Sequence, residues 1–467
     1  FLQTFEEFPP RQKAASFSLD QVMAPGDSID KDAFAQRAGA IDPSGLATLI
    51  YTSGTTGPPK GVMLTHASIQ ANIMQAFATH PSLCHADEAL NILPWSHSLG
   101  RTIALYVMIH AGGVVSIAES FANVLENLQE IRPTVLISVP RLYEKMYAGV
   151  FAKVEKAPPL KKKMFFWGTG VANRAADYLA HRKPMPAGLK LQYHAADSLI
   201  FSKLRAAFGL DRLRFSITGG AALSLQIDKF LNGIGITLHS AYGITEASPG
   251  VTVNTVENFS FGTVGRPFPD TLIRIEKDGE IFIKGPQIMK GYYNQPDATK
   301  EVITNDGWFK SGDVGFIDDD GFLRLTDRKK DIIITAGGKN ISPQNIENSL
   351  VSDQYIEQAV VIGDGRKYLS ALVVPVFGDL MEYAGQQGVS AKDNEELISR
   401  PEIIAFYDKK IQFLMKDYAA VEQLRRFTLL PRELSIEEEE LTPTLKIKRK
   451  VINEKYAADI ADMYPGN

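Results

Sequence analysis

The segment Tyr51-Thr52-Ser53-Gly54-Thr55-Thr56-Gly57-Pro58-Pro59-Lys60-Gly61 gathers the means of holding a polyphosphate. Its glycines permit tight turns that expose backbone N–H groups, Ser53, Thr55 and Thr56 add hydroxyl donors, and Lys60 adds a positive charge. The fixed spacing of a Walker A loop is absent. Taken alone, the composition also fits a plain turn at a strand exit. The thiol of Cys84, a candidate nucleophile, precedes His85, but adjacency in sequence does not place a thiol and an imidazole for catalysis.

These residues must be positioned by a scaffold, and the apolar pattern describes one. From Leu46 to about Ser240, short runs rich in β-branched residues alternate with longer amphipathic stretches, the rhythm of parallel strands joined by helical crossovers. Predicted strands are 47–51, 89–93, 114–117, 134–139 and 214–218, with helical spacing over 123–131 and 223–231. The loop at 51–61 therefore directly follows a predicted strand. From Thr263 to Leu325 short strands with turn punctuation take over, and Asp278-Gly279 between two apolar runs predicts a hairpin. The charged stretch Asp327-Arg328-Lys329-Lys330-Asp331 suits an exposed hinge, and a small α/β domain follows it. The expected fold class is α/β: a large amino-terminal domain over 1–327 with a β-rich subdomain, a hinge at 328–331, and a small mobile lid over 332–467.

The 467 residues allow several domains with sizeable cores. With 45% hydrophobic and 22% charged residues, collagen-like and disordered readings are excluded. A formal net charge of −4 argues against nucleic acid as a partner. One cysteine can form neither an internal disulfide nor a multi-thiolate metal site, so a reducing cytoplasm fits best. No apolar run reaches the length of a membrane span, and the first residues do not read as a signal peptide. Attachment to the inner face of a membrane stays open, as does oligomeric state. Lys161-Lys162-Lys163 and Glu437 to Glu440 read as solvated charge runs.

The loop at 51–61 resembles the phosphate-binding motif of the adenylate-forming superfamily, and further matches follow in that family's order. Gly219-Gly220-Ala221-Ala222 resembles its adenine-side loop. Tyr242-Gly243-Ile244-Thr245-Glu246 resembles the motif whose aromatic ring stacks on adenine, with Thr245 at the α-phosphate and Glu246 holding Mg²⁺. A tyrosine face can pack on a purine, and a carboxylate is a hard oxygen ligand suited to Mg²⁺. Trp308 to Asp313 resembles the segment whose aspartate binds the ribose hydroxyls, Arg328 aligns with its second ribose contact, and Lys330 falls at the hinge position. Thr52, Ser53, Gly54, Thr55, Thr56 and Lys60 complete the implied ATP site.

Leu441 to Lys450 resembles the superfamily's last motif, and its lysine position aligns with Lys446. A mobile cation there would stabilise charge moving onto departing pyrophosphate. Thr444-Leu445 replaces the Ser-Gly common in the wider superfamily, which fits the long-chain acyl-CoA synthetase branch and leaves Lys448 as a competing position. Trp95 and His97 align with the segment lining the acyl entrance, and Gly337-Gly338 with the turn beside the pantetheine tunnel. The resemblance spans about 42–463 and implies that a fatty acid, ATP and coenzyme A are the small-molecule substrates, with Mg²⁺ as cofactor. The activity it implies is a fatty acid–CoA ligase, AMP-forming, acting through acyl-AMP. Relative to the family the chain starts late, so part of the amino-terminal domain is expected to be missing. Two alternatives are an acyl-AMP ligase that hands the acyl group to a carrier protein, and a catalytically silent nucleotide- or acyl-binding protein.

Overall fold

A computed structural model of the chain describes residues 30–52, 59–121, 123–442 and 447–465. Strand β1 (Leu46–Thr52) pairs antiparallel with β2 (Lys60–Thr65), with Thr52 opposite Lys60 and Tyr51 opposite Gly61. This corrects the expectation that 47–51 opens the parallel sheet. The segment between Thr52 and Lys60 is shorter than the dozen or so residues a parallel crossover needs, so the chain can only fold back on itself. The candidate phosphate loop is thus the connection of a hairpin. Immediately after β2, Thr65 starts helix His66–Thr79 with a reciprocal cap: its hydroxyl accepts from Ser68 N at 3.0 Å while Ser68 Oγ accepts from Thr65 N at 3.0 Å.

The central sheet holds β3 (Glu88–Asn91), β4 (Val114–Ile117), β5 (Val135–Ser138), β6 (Phe215–Thr218), β7 (Leu238–Gly243), β8 (Gly250–Val253) and β9 (Arg266–Pro267), in the order β4-β3-β5-β6-β7-β8-β9. Pairing is parallel through β7 and antiparallel beyond it. Strands β3, β5 and β6 are largely buried because helices cover the sheet, whereas β4 at the edge is exposed at both ends. Alternation in β5 and β6 divides two cores: Leu136 packs with the helices Val124–Ile131, Pro140–Glu155, Pro159–Ala180 and Leu225–Gly233, whereas Val135, Ile137 and Phe215 join Ile103, Val107 and Met108 on the other face. At the amino-terminal edge of the sheet, buried Asp87 accepts from Thr134 Oγ1 at 2.8 Å and from Arg214 Nη1 at 2.5 and 2.6 Å. One carboxylate thereby ties the starts of β3, β5 and β6.

The next region is β-rich, as the turn punctuation predicts. Strands β10 (Leu272–Ile275) and β11 (Glu280–Lys284) form the expected hairpin, with Gly279 at φ +83°. Strand β12 (Gly291–Tyr292) returns to pair with β2, and β13 (Phe309–Ile317) and β14 (Leu323–Arg328) complete a four-stranded sheet in the order β10-β11-β13-β14. Beyond Arg328 lie β15 (Ile333–Ile334), β16 (Asn340–Ile341), and a sheet of β17 (Ile356–Ile362), β18 (Leu369–Pro375) and β19 (Leu424–Leu429), in which β18 and β19 are parallel. A mixed α/β molecule with a large amino-terminal and a smaller carboxy-terminal domain results. Among the described residues no helix is long and apolar enough to cross a membrane.

One charge run departs from its expectation. Lys161 and Lys163 are exposed, as are Glu437, Glu438 and Glu439, but Glu440 is fully buried. It accepts from both terminal nitrogens of Arg432 (2.8 and 2.6 Å), from Tyr456 Oη at 2.9 Å and from Ser435 N at 3.0 Å. Such a set of donors lets a carboxylate leave water.

Candidate functional site

A cleft of about 2140 Å³ opens at the carboxyl ends of the parallel strands, where open α/β sheets place their ligands. Of the residues singled out by sequence, Thr52, Lys60, His97, Gly219, Gly220, Ala221, Tyr242, Gly243, Thr245, Glu246, Asp313, Arg328 and Lys330 line it. Ser53, Gly54, Thr55, Thr56 and Lys446 lie outside the described residues. Trp95 does not line the cleft: its side chain is 40% exposed and its carbonyl accepts from Arg101 Nε at 2.8 Å. Its neighbours Pro94, Ser96 and His97 do line the cleft, and the turn there leaves Trp95 facing outward beside it. Gly337 and Gly338 also stay outside, in an exposed turn with Gly338 at φ +71°.

The loop after β6 is bare backbone, with Gly220 at φ +89°, a conformation glycine adopts without cost. At the end of β7, a Cβ on Gly243 would sit 2.5 Å from Pro249 O, so only glycine permits this close return. Asp313 and Arg328 face each other across β13 and β14. Arg328 Nε donates to Asp313 Oδ1 at 3.1 Å, and Tyr242 Oη donates to Asp313 Oδ2 at 2.6 Å. Burial, followed by the charge of Asp313, pushes the Tyr242 phenol well above its ordinary 10, so it remains the donor. Two side chains, from β7 and β14, are thus fixed around a carboxylate on β13.

A second cluster centres on Glu246, whose Oε1 accepts from Tyr292 Oη at 2.9 Å. Lys60 Nζ lies 4.9 Å from the centroid of the same tyrosine ring, a cation–π distance. Thr245 Oγ1 stands 3.2 Å from Ser98 Oγ. Within the expected hinge, Lys329 Nζ donates to Asp278 at 2.7 Å and Glu280 at 2.8 Å, while Glu280 also accepts from Gly312 N.

The far wall comes from the carboxy-terminal domain, where Leu441, Thr442, Ile447, Lys448 and Arg449 line the cleft. Leu441 and Ile447 form a β-bridge, and Lys448 N donates to Glu440 O at 2.9 Å. The ends of the segment carrying Lys446 are therefore pinned beside the cleft. Arg449 is held by Glu347 at 2.8 Å. The domains also touch through Arg141 and Glu357 at 2.7 Å, through Lys156 and Glu382, and through Asn348 Nδ2 to Ala222 O at 3.3 Å.

Away from these polar groups the cleft becomes apolar. Nearly the whole second core of the large domain lines it, including Ile103, Met108, Val135, Ile137 and Phe215. That core is hollow, and its opening leads to Ser98 and Thr245. Sequence reasoning missed Tyr292, Ser98 and Glu280. Tyr292 lies on a strand of two residues, and only the pairing of β12 with β2 brings it to Glu246.

This geometry can be set beside known proteins. Residues 6–293 match the AMP-binding enzyme family, and residues 330–467 match the AMP-binding enzyme C-terminal domain. The chain is 38% identical over 454 residues to the long-chain-fatty-acid–CoA ligase FadD15 of Mycobacterium tuberculosis, covering 96% of this chain and 74% of that protein. It is 32% identical over 473 residues to the rat long-chain-fatty-acid–CoA ligase ACSBG2, covering 94% and 69%. Among solved structures, the adenylation domain of a carboxylate reductase from Mycobacterium chelonae superposes with a TM-score of 0.69 at 23% identity, covering 90% of this chain and 60% of that one. O-succinylbenzoate coenzyme A synthetase from Bacillus subtilis, in complex with AMP, gives 0.58 at 23% identity, covering 88% and 69%. By sequence over most of its length and by fold, the chain belongs to the AMP-binding family of adenylate-forming enzymes.

Proposed function

We propose that this protein is an AMP-forming fatty acid–CoA ligase acting on a long-chain acid. The observation that carries the reading is the joining of a hollow apolar core to a polar chamber in one cleft. Each methylene removed from water there stabilises a bound alkyl chain by about 0.8 kcal/mol. At the mouth of that core, Thr245 and Ser98 meet the position where an acid's carboxylate would face a nucleotide's α-phosphate.

In this reading Tyr242 and the Gly219-Gly220-Ala221 backbone receive adenine, and Asp313 with Arg328 receives the ribose hydroxyls. Thr52, Ser53, Gly54, Thr55, Thr56 and Lys60 cradle the phosphates. Among the described residues no three His, Cys, Asp or Glu side chains gather to hold a metal. A divalent ion held by Glu246 would take most of its other ligands from phosphates and water, which fits the usual habit of Mg²⁺. Bound there, Mg²⁺ would neutralise phosphate charge. The acid's carboxylate oxygen attacks the α-phosphorus and pyrophosphate leaves, with Lys446 stabilising the departing charge. The coenzyme A thiol then attacks the acyl carbonyl carbon, its proton passes to solvent, and AMP leaves.

We assign 1–327 to the amino-terminal domain, 328–331 to the hinge about Lys330, and 332–467 to the lid. The division is supported by the hydrophobic clusters, none of which mixes residues from the two sides of 328–331. In this orientation Leu441, Thr442, Ile447, Lys448 and Arg449 line the cleft and Gly337-Gly338 does not, which suits the first half-reaction, and rotation about a few hinge angles would exchange the two faces. The test is pyrophosphate release from ATP and Mg²⁺ across a series of carboxylic acids, with and without coenzyme A. Acid-dependent release with an acyl-CoA product is expected. Release ending at acyl-AMP would reassign the acceptor to a carrier thiol, and no release with any acid would overturn the reading.

A further inference from the structure

The hollow core has a direction. Val135 and Ile137 on β5, and Phe215 and Ile217 on β6, line it, whereas their neighbours Leu136 and Ser216 do not. The cavity therefore runs along one face of the sheet. It extends from Gly219, just past the carboxyl end of β6, to Phe215 at its start, about 13 Å at 3.3 Å per residue. Its inner end lies at the edge tied by Asp87, where β3, β5 and β6 begin.

An unusual group stands at that end. His80 lines the cavity yet is only 7% exposed, with its ring 4.8 Å from that of Phe215. Its two nitrogens are both engaged: Nδ1 lies 3.0 Å from Thr79 Oγ1, and Nε2 lies 3.1 Å from Nδ1 of His239, which is 1% exposed behind it. Burial holds His80 at about 4, with the charge of Glu257 opposing, and His239 at about 3, so both rings are neutral near pH 7. With its polar atoms turned to Thr79 and His239, the ring presents its apolar surface to the cavity. Unlike the unbranched side chain of Met108, it is fixed by hydrogen bonds on two sides.

We propose that His80, held by Thr79 and His239, is the end wall that sets the longest acyl chain the enzyme accepts. The proposal rests on the acyl-activating reading above. A rigid wall gives a sharp length limit, because a chain one methylene too long must displace a hydrogen-bonded ring rather than shift a flexible one. His80 would touch the methyl terminus of the substrate. His239 acts through it as a positioning residue.

The experiment is acid-dependent pyrophosphate release by the full chain with saturated acids from hexanoate to docosanoate, reported as kcat/KM for each length. His80→Ala is expected to move the optimum to longer acids, and His80→Trp to shorter ones. The ratio between the longest and a middle-length acid should change by about tenfold or more in each case, as a misfit of a methylene or two in an apolar pocket does. His239→Ala should blur the limit, lowering KM for over-long acids by more than it changes kcat for the same acids. Should His80→Ala lose its cooperative melt, Leu83→Ala, on the same stretch of the lining, should shift the optimum in the same direction. Well-folded variants with the length profile of the unmodified protein would overturn the proposal. No release by the unmodified protein with any acid would instead refute the parent reading.

Discussion

Tyr292 donates its hydroxyl to Glu246 across 2.9 Å, and the same ring carries Lys60 4.9 Å from its centroid. One tyrosine thereby connects Lys60, at the end of the candidate phosphate loop, to the carboxylate proposed to hold a divalent ion. The pairing of β12 onto β2 makes the connection, since Tyr292 sits opposite Val62. Tyr292→Phe keeps the ring for Lys60 and removes only the bond to Glu246. Its loss is expected to cost about 1.5–3 kcal/mol, which is roughly one to two orders of magnitude in affinity for the ATP–Mg²⁺ complex. Pyrophosphate release at varied Mg²⁺ checks it: KM for ATP–Mg²⁺ should rise, with the acid KM unchanged.

Asp313 gathers Tyr242 and Arg328, so Asp313→Ala strips both of a charged partner at once. Nucleotide affinity should fall by about tenfold to a hundredfold. Calorimetric titration with AMP is the measurement, and an unchanged Kd would remove these residues from the ribose site.

The segment that carries Lys446 is anchored at Leu441, Ile447 and Lys448 beside the cleft. If Lys446 stabilises the leaving pyrophosphate, Lys446→Ala should slow acyl-AMP formation by about a hundredfold to a thousandfold. The same variant should still convert synthetic acyl-AMP and coenzyme A to thioester, because in the proposed reading that step follows rotation of the domain. Lys448→Ala is the control for the competing position, and a larger loss there would exchange the two assignments.

Much of this site was legible in the sequence, and what was not follows from chain reversal and distant pairing. The apolar runs at 89–93, 134–139 and 214–218 became parallel strands because both of their faces are covered, which periodicity reads well. Asp278-Gly279 announced its hairpin through glycine's access to positive φ. The run at 47–51 looked the same as its neighbours, yet the short return through Lys60 forces it antiparallel. Tyr292 and Ser98 acquire meaning only from partners 46 and 147 residues away. Glu440 ended a run of four glutamates, and nothing local says that Arg432 and Tyr456 will enclose it.

Arg141 and Glu357 join the two domains at 2.7 Å, and Glu144 lies near both. Burial raises Glu144 to about 7, with Arg141 opposing and Glu357 adding to the rise. A carboxyl whose folded value exceeds its unfolded one stabilises the structure fully below about 4.5, and that contribution is lost as pH rises through about 7. Once ionised, Glu144 competes with Glu357 for Arg141 and weakens the contact between domains. Thermal melts between pH 6 and pH 8, pH values chosen on either side of that titration, should therefore fall in the unmodified protein and flatten in Glu144→Gln. Arg141→Ala should slow acyl-AMP formation severalfold, since a half-exposed ion pair contributes at most about 1 kcal/mol, and should leave thioester formation unaffected.

Glu440 reports on the frame that holds the Lys446 segment. Desolvation alone would raise its carboxyl, but the bonds from Arg432, Ser435 N, Tyr456 and Lys455 outweigh it and bring the value to about 2, below the ordinary 4.5. A depressed folded value means stability that is present above 4.5 and lost as pH falls toward about 2. Glu440→Gln keeps the shape but replaces a charge-assisted acceptor, which should cost about 1.5–3 kcal/mol at neutral pH. The half-exposed Arg432 places the expectation at the lower end of that range. Melting of the variant should change less than that of the unmodified protein as pH is lowered through this window. Because Glu440 O also accepts from Lys448 N, acyl-AMP formation should slow in the variant while its AMP affinity is retained. A variant that melts as the unmodified protein does at every pH would show that the buried carboxylate contributes nothing to holding the segment in place.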